Sequence, residues 1–250
     1  AAASATALPT TVLSLWQPLA SFLAHGLQRV EGRGWSTAFR GPLWIHAGSK
    51  QVSPGDIAKW ENLYREVHAD DGHEVALPDS YPTSALVGLV EVVDVVGAEE
   101  FRTWRTLPRG ARREGRSHGS GSLFLVQGHR RLPVPLKMSG QHKLWRLDHR
   151  VAARVFPHLI GSEQGPPIDF AHHRRLASRE ETQGVTDDGA GASSGEDGED
   201  EQDQLEAAML ELAMQRSLAD LGPPAAAGQG TTGAPWPPRL GSTAHDADDP

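Results

Sequence analysis

Short apolar runs separated by polar turns dominate the first 160 residues, and this pattern predicts a series of short strands. The runs are Thr11–Trp16, Leu43–Ala47, Ser84–Val96, Ser122–Gln127, Leu132–Leu136 and Lys143–Leu147. The polar residues Gly-His-Arg-Arg at 128–131 predict a hairpin turn between the fourth and fifth runs. Pro133 and Pro135 predict that the fifth run is an edge strand, because proline has no N–H to donate to a ladder.

Two segments between these runs have the spacing of amphipathic helices. The first has apolar residues at i, i+3 and i+4 (Leu19, Phe22 and Leu23) and Gly26 as its stop signal. The second begins after Ser53, a residue that favours the N-cap position. Its apolar face holds Ile57, Trp60, Leu63, Tyr64 and Val67. Short strands with one or two helices predict an α+β fold, a small β-barrel rather than a βαβ sheet, over residues 11–160.

The aromatic residues divide the chain into two parts. Residues 161–250 contain only Trp236 and Phe170 of the aromatic set, so the hydrophobic core is expected within residues 1–160. Residues 1–160 carry 19 Lys/Arg and 14 Asp/Glu, whereas residues 161–250 carry 5 and 18. We therefore predict a mildly basic domain, a disordered acidic linker at 161–203, an isolated helix at 204–221 and a disordered tail at 222–250.

Several classes of protein are excluded by composition. The chain has no cysteine, so it forms no disulfide and no Cys-ligated metal site. The twelve histidines lack metal-binding spacing, and we expect neither a metal nor a cofactor. No apolar run reaches the length of a membrane span, and the first nine residues do not resemble a signal peptide. We expect a protein of the nucleus or the cytoplasm, or both.

A motif near the start of the chain carries a family resemblance. It reads Leu-Ser-Leu-Trp-Gln-Pro at 13–18, followed by a short helix and then by Gly26, Gln28, Glu31 and Arg33. Further similar stretches are Arg40–His46, Tyr81-Pro82 and Lys143–Leu147. Together these motifs resemble the ASCH domain of the PUA-like superfamily, in particular its cointegrator-like members, over about residues 11–155.

The resemblance implies a nucleic-acid-binding cleft, with RNA a better candidate ligand than DNA. From the residues themselves, a strand after Gly26 places Glu31 and Arg33 on one side, next to Trp16 and Gln17, so that an aromatic ring and polar groups converge to stack and bond a base. The predicted nucleic-acid-binding residues are Trp16, Gln17, Glu31, Arg33, Arg40, Lys50, Arg105, Lys137 and Lys143. An alternative is that Glu31 and Arg33 form an ion pair that only stabilises the fold.

The front motif departs from the family at one position. Gln28 stands where the family has a lysine, and in small bacterial members that lysine is implicated in the hydrolysis of acetylated cytidine. A glutamine amide does not titrate, so we assign no catalytic residue. Glu31 is the general-base candidate if the domain is a hydrolase of a modified nucleoside or of RNA. A third possibility is a barrel that binds a peptide.

An arginine-rich stretch follows the Val-rich strand. It contains Arg102, Arg105, Arg109, Arg112, Arg113 and Arg116, with Trp104 among them. We interpret Phe101–Ser120 as a loop with at most one helical turn. Guanidinium groups suit phosphate contacts and an exposed tryptophan can stack a base, so the loop is a second candidate surface. A solvated loop that only adds solubility is the alternative.

The tail contains a second resemblance. An acidic run at 196–206 precedes Leu210, Ala213, Ser217 and Asp220. This pattern resembles a ubiquitin-interacting motif. On a helix, Leu210, Ala213, Met214, Ser217 and Leu221 form one stripe, which suits an apolar patch with a basic rim. We predict weak binding of ubiquitin or ubiquitinated proteins through Leu210, Ala213, Met214, Ser217 and Asp220. The alternative is a helix that docks on its own domain or on another partner.

Overall fold

One mixed sheet organises the computed structural model, which describes residues 8–116 and 121–183. Its strands are β1 (Thr11–Leu15), β2 (Val30–Arg33), β3 (Gly41–Ala47), β4 (Ala85–Gly97), β5 (Ser122–Lys137), β6 (Leu144–Arg146) and β7 (Ile160–Gly161). The strand order is β2-β5-β4-β3-β1-β6, and β7 pairs with β5. Only the β1–β3 pair is parallel among these described strands. The sheet curls into a half-barrel, which confirms the predicted α+β class.

The helices are α1 (Leu19–Ala24), α2 (Pro54–Ala69), α3 (Ala98–Arg102), α4 (Arg109–Arg116), α5 (His149–Val155) and α6 (Phe170–Gln183). A 3₁₀ turn follows α5 at Phe156–His158. The predicted cap is confirmed, because the Ser53 side chain accepts a hydrogen bond from Asp56 N. The prediction of one or two helices was too low, since the described residues contain six α-helices.

Alternate strand residues form cores on the two faces of the sheet. Leu13 and Ile45 belong to one cluster, which α1 covers through Ala20 and Leu23. Val12 and Trp44 belong to the cluster on the opposite face, which α5 covers through Ala152. Because side chains alternate across a strand, this double burial explains why β1 and β3 are apolar at almost every position.

The predicted hairpin turn at 128–131 is wrong. The chain continues as one strand, β5, from Ser122 to Lys137. Arg130 and Arg131 pair with β4 on one side and with β7 on the other. These partners are remote in sequence, so the polar run offered no local sign of them.

The stretch 132–136, predicted as an edge strand, lies at a local edge of the sheet. β5 as a whole has β4 on one side and β2 and β7 on the other, but β2 pairs only with residues 122–125 and β7 only with Arg130 and Arg131. Among the described strands, β4 alone therefore flanks 132–136. Residues 132–135 fall in a register shift, where they lie opposite the single β4 residue Val87. Pro133 and Pro135 occupy this bulge, where a missing N–H breaks no ladder bond.

The predicted loop Phe101–Ser120 contains ordered helix. It includes the end of α3 and the whole of α4, and residues 117–120 lie outside the described residues. Phe101, Trp104 and Leu107 are buried in a core cluster with residues of β2, β4 and β5. The arginine content made the segment look solvated, but its apolar residues hold it against the sheet.

The ordered domain extends past residue 160, where we placed the start of the disordered linker. In the described part of that linker, 161–183, the chain forms the end of β7 and the helix α6. Phe170 and Ala177 pack into the same cluster as Trp104. Arg174 reaches Asp94 at 2.7 Å and Glu100 at 2.8 Å. The predicted linker beyond 183, the isolated helix and the tail lie outside the described residues.

Candidate nucleic-acid interface

Five predicted site residues meet at one end of the sheet. The register places the last residues of β1, β3 and β5 beside the first residues of β4 and β6. We call this region the Trp16 end. It carries Trp16, Gln17, Lys50, Lys137 and Lys143. The sequence predicted these residues from separate motifs, and the strand register is what brings them together.

Trp16 and Lys50 form a cation–π pair at this end. The Lys50 ammonium lies 4.2 Å from the centroid of the Trp16 ring. Trp16 is half-buried, so part of its indole faces solvent. A half-buried ring held beside a cation combines a stacking surface with a phosphate-binding charge.

The Gln17 side chain has a structural role. Its amide donates to Pro82 O at 2.8 Å, and its carbonyl oxygen accepts from Ser21 N at 3.1 Å in the first turn of α1. Gln17 is only 4% exposed. The amide therefore joins α1 to the Tyr81-Pro82 segment and does not face a ligand.

Lys137 and Lys143 flank a loop that is anchored from below. Met138 O lies 3.1 Å from His46 Nε2, and His46 Nδ1 lies 3.2 Å from Ser14 Oγ. Burial lowers the pKa of His46. The neutral ring therefore donates from Nε2 to the carbonyl and accepts the Ser14 hydroxyl at Nδ1. Trp145 Nε1 donates to the same hydroxyl at 3.1 Å. These bonds fix the loop without using either lysine.

The two lysine side chains are exposed at the loop ends. Lys137 Nζ donates to Thr83 O at 2.6 Å, next to Pro82. Lys143 has a φ of +57°, in the left-handed region that non-glycine residues seldom adopt. Strained backbone of this kind is concentrated at functional sites.

Glu31 forms a buried cluster with Gln28 and Arg33. Its two carboxylate oxygens lie 2.8 Å from Arg33 Nη2 and 2.5 Å from Gln28 Nε2. Glu31 is 2% exposed, whereas the Arg33 side chain is 22% exposed. Gln28 Oε1 and Arg33 Nε are buried without a hydrogen-bond partner. Only Arg33 can therefore reach a ligand without rearrangement, and the geometry matches the alternative of a stabilising ion pair.

The described residues show no hydrogen bond or ion pair between the Trp16 end and the Glu31 cluster. Arg33 pairs with Ser122 at the start of β5, and Lys137 ends the same strand. Arg40 precedes β3 and is held by Asp94, at 3.0 Å from Nε and 2.5 Å from Nη2. Arg105 is exposed beyond the end of β4. Glu31, Arg33, Arg40 and Arg105 therefore lie towards the other end of the sheet from Lys137.

The arginine-rich stretch mainly makes contacts within the domain. Trp104 is 1% exposed, so the prediction that it stacks a base is wrong. Buried Glu114 accepts hydrogen bonds from Arg29 N at 2.5 Å and Val30 N at 2.8 Å, and it pairs with Arg29 Nε at 3.1 Å. Arg29 Nη1 also reaches Asp71 at 2.8 Å. This network joins α4 to β2 and to the turn that follows α2.

The other arginines of this stretch differ in exposure. Arg113 pairs with Glu66 at 2.8 Å, and Arg102 pairs with Glu99. Arg112 Nε is buried. Among the six arginines predicted to contact phosphate, Arg105 is the one with an exposed side chain and no ion pair in the described residues.

Three exposed arginines were missed by sequence reasoning. Arg146 lies on β6, and Arg150 and Arg154 lie on α5. The signal was present, because residues 122–162 hold seven Lys/Arg and a single carboxylate, Asp148. Arginine density drew attention to 102–116, whereas the shortage of acidic partners would have pointed to 130–154.

Two further features of the described residues concern membranes and metal ions. No helix there is long and apolar enough to cross a membrane, and no group of three acidic, His or Cys side chains is placed to hold a metal ion. The predicted ubiquitin-binding residues Leu210, Ala213, Met214, Ser217 and Asp220 lie outside the described residues.

The chain is similar to known proteins in sequence, and its structure aligns with a known structure. The family model of the ASCH domain matches residues 13–122. Activating signal cointegrator 1 of mouse and of human are each 32% identical over 139 residues, which is 56% of this chain. The chain spans only 22% of the length of these relatives. A crystal structure of ASCH from Zymomonas mobilis aligns with 60% of this chain and 95% of its own, at 15% identity and a TM-score of 0.37.

Proposed function

Because residues 13–122 form an ASCH domain, we propose that this protein is a nucleic-acid-binding adaptor, with single-stranded RNA preferred over DNA. The Trp16 end is the proposed ligand surface. The helix predicted from the sequence at 204–221 is proposed to add weak binding of ubiquitin. The name of the relatives, activating signal cointegrator 1, supports a coregulator of transcription or RNA metabolism, acting in the nucleus or the cytoplasm.

One observation carries the proposal for the domain. The half-buried Trp16 ring has the Lys50 ammonium 4.2 Å from its centroid, and the exposed Lys137 and Lys143 lie at the same sheet end. An aromatic ring stacks any base, at roughly 1–3 kcal/mol per base, and lysines neutralise the phosphates that follow it. This combination favours an unpaired strand over a duplex, because the bases of a duplex are already stacked.

The other predicted residues take secondary places in this proposal. Arg33 and Arg105 can add phosphate contacts with the exposed parts of their side chains. Glu31 and Arg40 hold the protein surface in place through their ion pairs.

The hydrolase alternative gains no support from the site. A general base must come within hydrogen-bond reach of its substrate. Glu31 is 2% exposed, and its two carboxylate oxygens already contact Gln28 and Arg33.

Fluorescence anisotropy with a labelled single-stranded RNA dodecamer tests the proposal. We expect binding that weakens steeply with salt and that falls about tenfold in Trp16→Leu but little in Trp16→Phe. The matched charge pair is Lys137→Ala against Lys59→Ala, since Lys59 is an exposed lysine of α2 paired with Asp56. Only Lys137→Ala should weaken binding.

Two outcomes would overturn the proposal for the domain. One is no binding at low salt, and the other is equal loss in Trp16→Leu and Lys59→Ala. A partner that binds without salt dependence would favour the peptide-binding alternative. A DNA dodecamer of the same sequence measures the preference for RNA, which we expect to be modest and in favour of RNA.

The ubiquitin proposal rests on the tail motif and needs its own test. We expect NMR shifts in labelled ubiquitin when the full chain is added, with affinity in the weak range because one helix buries little area. Ala213→Arg should abolish the shifts, because a bulky residue prevents close approach. Ala208→Arg places the same residue on the opposite helical face and should leave them intact. Equal effects of both substitutions would contradict the assigned face.

A further inference from the structure

We propose that α5 and the adjoining edge strand β6 form a phosphate-binding surface that extends the RNA site away from Trp16. The surface, named here the β6–α5 face, consists of Lys143, Arg146, Arg150 and Arg154. The inference rests on the proposed function of the domain and adds to it a second set of contacts, which read charge and not base identity.

The packing of α5 turns two of these arginines towards solvent. Ala152 and Val155 are buried against the sheet, in the cluster that contains Val12 and Trp44. At 100° per residue, Arg150 and Arg154 then lie on the opposite side of α5, facing solvent. Both are exposed, and as an i, i+4 pair they lie next to each other on one helical face.

The four cations of this face have no carboxylate partner among the described residues. Within the described part of the chain, Lys143, Arg146, Arg150 and Arg154 form no ion pair. The only carboxylate in 122–162, Asp148, accepts hydrogen bonds from Arg150 N and Val151 N at 2.8 and 3.3 Å as the N-cap of α5. Two adjacent arginines without a carboxylate disfavour the helix on their own account. A polyanion would remove that repulsion.

The β6–α5 face adjoins the Trp16 end. β6 pairs antiparallel with β1, and Leu13 lies opposite Leu144. Lys143 therefore lies beside the end of β1, close in register to Trp16, and Arg146 lies opposite Thr11. Arg146 lies roughly 10 Å along the edge from Lys143, and its side chain projects to the sheet face opposite Trp145 and α5. Arg150 and Arg154 lie about 6 Å apart along α5. A single strand stacked on Trp16 that runs along this sheet edge can contact cations on both sides of it.

A nucleic-acid backbone fits this surface better than an acidic peptide does. The exposed residue between Arg150 and Arg154 is Ala153, which is too small to hold a peptide side chain, and the half-buried Val151 packs on the cluster of Val12 and Trp44. The fixed, regular charge of a phosphate backbone needs only exposed cations at such a surface. An acidic peptide is therefore included as a competitor in the experiment.

The experiment measures the salt dependence of binding of the labelled RNA dodecamer to the full chain. Each phosphate contact on a single strand contributes about 0.7 to the slope of log K against log salt. Arg150→Ala/Arg154→Ala should therefore reduce the steepness by about 1.4, and at moderate salt it should weaken binding on the order of tenfold. Arg150→Lys/Arg154→Lys should keep the slope, because the charges remain.

The matched control removes two cations from another helix. Lys59 and Arg65 lie on α2 and pair with Asp56 at 2.9 Å and Glu61 at 3.8 Å. Lys59→Ala/Arg65→Ala changes the net charge by the same amount and should leave the slope unchanged. Equal slopes for the two alanine double variants would overturn the inference. Competition of a poly-glutamate peptide with the RNA at equal charge concentration would overturn the assignment to nucleic acid.

Failure of the inference can be told apart from failure of the proposed function. If Trp16→Leu weakens RNA binding and the α5 double variant keeps the wild-type slope, the Trp16 end stands and the β6–α5 face does not. If the wild-type chain binds no RNA at low salt, both are wrong.

Discussion

Two arginine-bearing segments of this domain differ in whether carboxylates of the domain pair with their charges. Residues 102–116 contain six arginines, and the carboxylates of Glu66, Asp71, Glu99 and Glu114 pair with this segment or tie it to its neighbours. Residues 143–154 contain four cations, which form no ion pair in the described residues. The first segment is a packed part of the fold, and the second is a charged surface. Arginine density therefore says little about binding until the positions of the carboxylates are known.

Glu114→Ala should have the largest effect on stability, because it removes the main partner of the first segment. Glu114 is buried and accepts two backbone N–H groups of the Arg29–Val30 segment as well as the Arg29 guanidinium. Removing it leaves a buried cation and two unpaired donors, at a cost of about 3–5 kcal/mol in the free energy of unfolding. Urea denaturation measures this loss. Glu99→Ala, which removes an exposed partner of Arg102, is the control and should cost less than 1 kcal/mol.

Acid should weaken the same region through His68. Burial lowers the pKa of His68 to about 4, from an ordinary value of 6.5. The neutral ring donates from Nε2 to Leu27 O at 2.7 Å, and its buried Nδ1 has no partner. Protons therefore bind the unfolded chain first, and stability present above pH 6.5 is lost as the pH falls towards 4. The loss approaches about 3 kcal/mol.

The control for this pH effect is His68→Gln, which keeps a donor but does not titrate. Its free energy of unfolding should fall less than that of the wild type between pH 7 and pH 4.5. Parallel pH profiles for the two proteins would show that His68 does not contribute.

Gly110→Ala tests whether α4 is as tightly packed as its contacts indicate. A Cβ at Gly110 would lie 1.9 Å from Val67 O, a backbone atom of α2 that cannot move away alone. We expect a loss of about 1–3 kcal/mol by thermal unfolding. Gly34→Ala is the matched control, because nothing lies within 4 Å of the added methyl group. Equal melting temperatures for the two variants would mean that 109–116 is loosely held.

The smallest expected effects come from replacing one arginine in each segment, which compares the two segments residue by residue. Arg102→Ala removes an exposed ion pair with Glu99, so stability should change by less than about 1 kcal/mol and RNA affinity by less than twofold. Arg150→Ala should also leave stability nearly unchanged but should lower RNA affinity about fivefold at 0.1 M salt. A larger loss of affinity in Arg102→Ala than in Arg150→Ala would reverse the roles assigned to the two segments.

Local signals predicted the elements that local interactions determine. The Ser53 cap and the apolar positions of β1, β3 and β4 were read correctly, because capping and alternation depend on neighbouring residues. β5 was misread as a hairpin, since Arg130 and Arg131 are held by Gly161 and Ile160 about 30 residues away. The helix α4 was missed for the same reason, because its anchors are Glu66 of α2 and Asp71 in the turn after α2.

The same distinction between local and long-range signals applies to the candidate site. The sequence identified Trp16, Lys50, Lys137 and Lys143 individually, but only the β1–β6 and β4–β5 registers show that they share one end of the sheet. It placed Gln17 in the cleft, where the amide is in fact engaged by Pro82 and Ser21. Burial and partners remote in the chain decide such cases, and neither can be read from a short motif.

The most direct test of the proposed RNA site is an NMR titration of the labelled chain with the single-stranded RNA dodecamer at low salt. We expect shifts at Trp16, Lys50, Lys137, Lys143 and α5, with little change at Arg102 and along α4 (Arg109–Arg116). Shifts confined to Arg102–Arg116, with an undisturbed Trp16 indole signal, would contradict it.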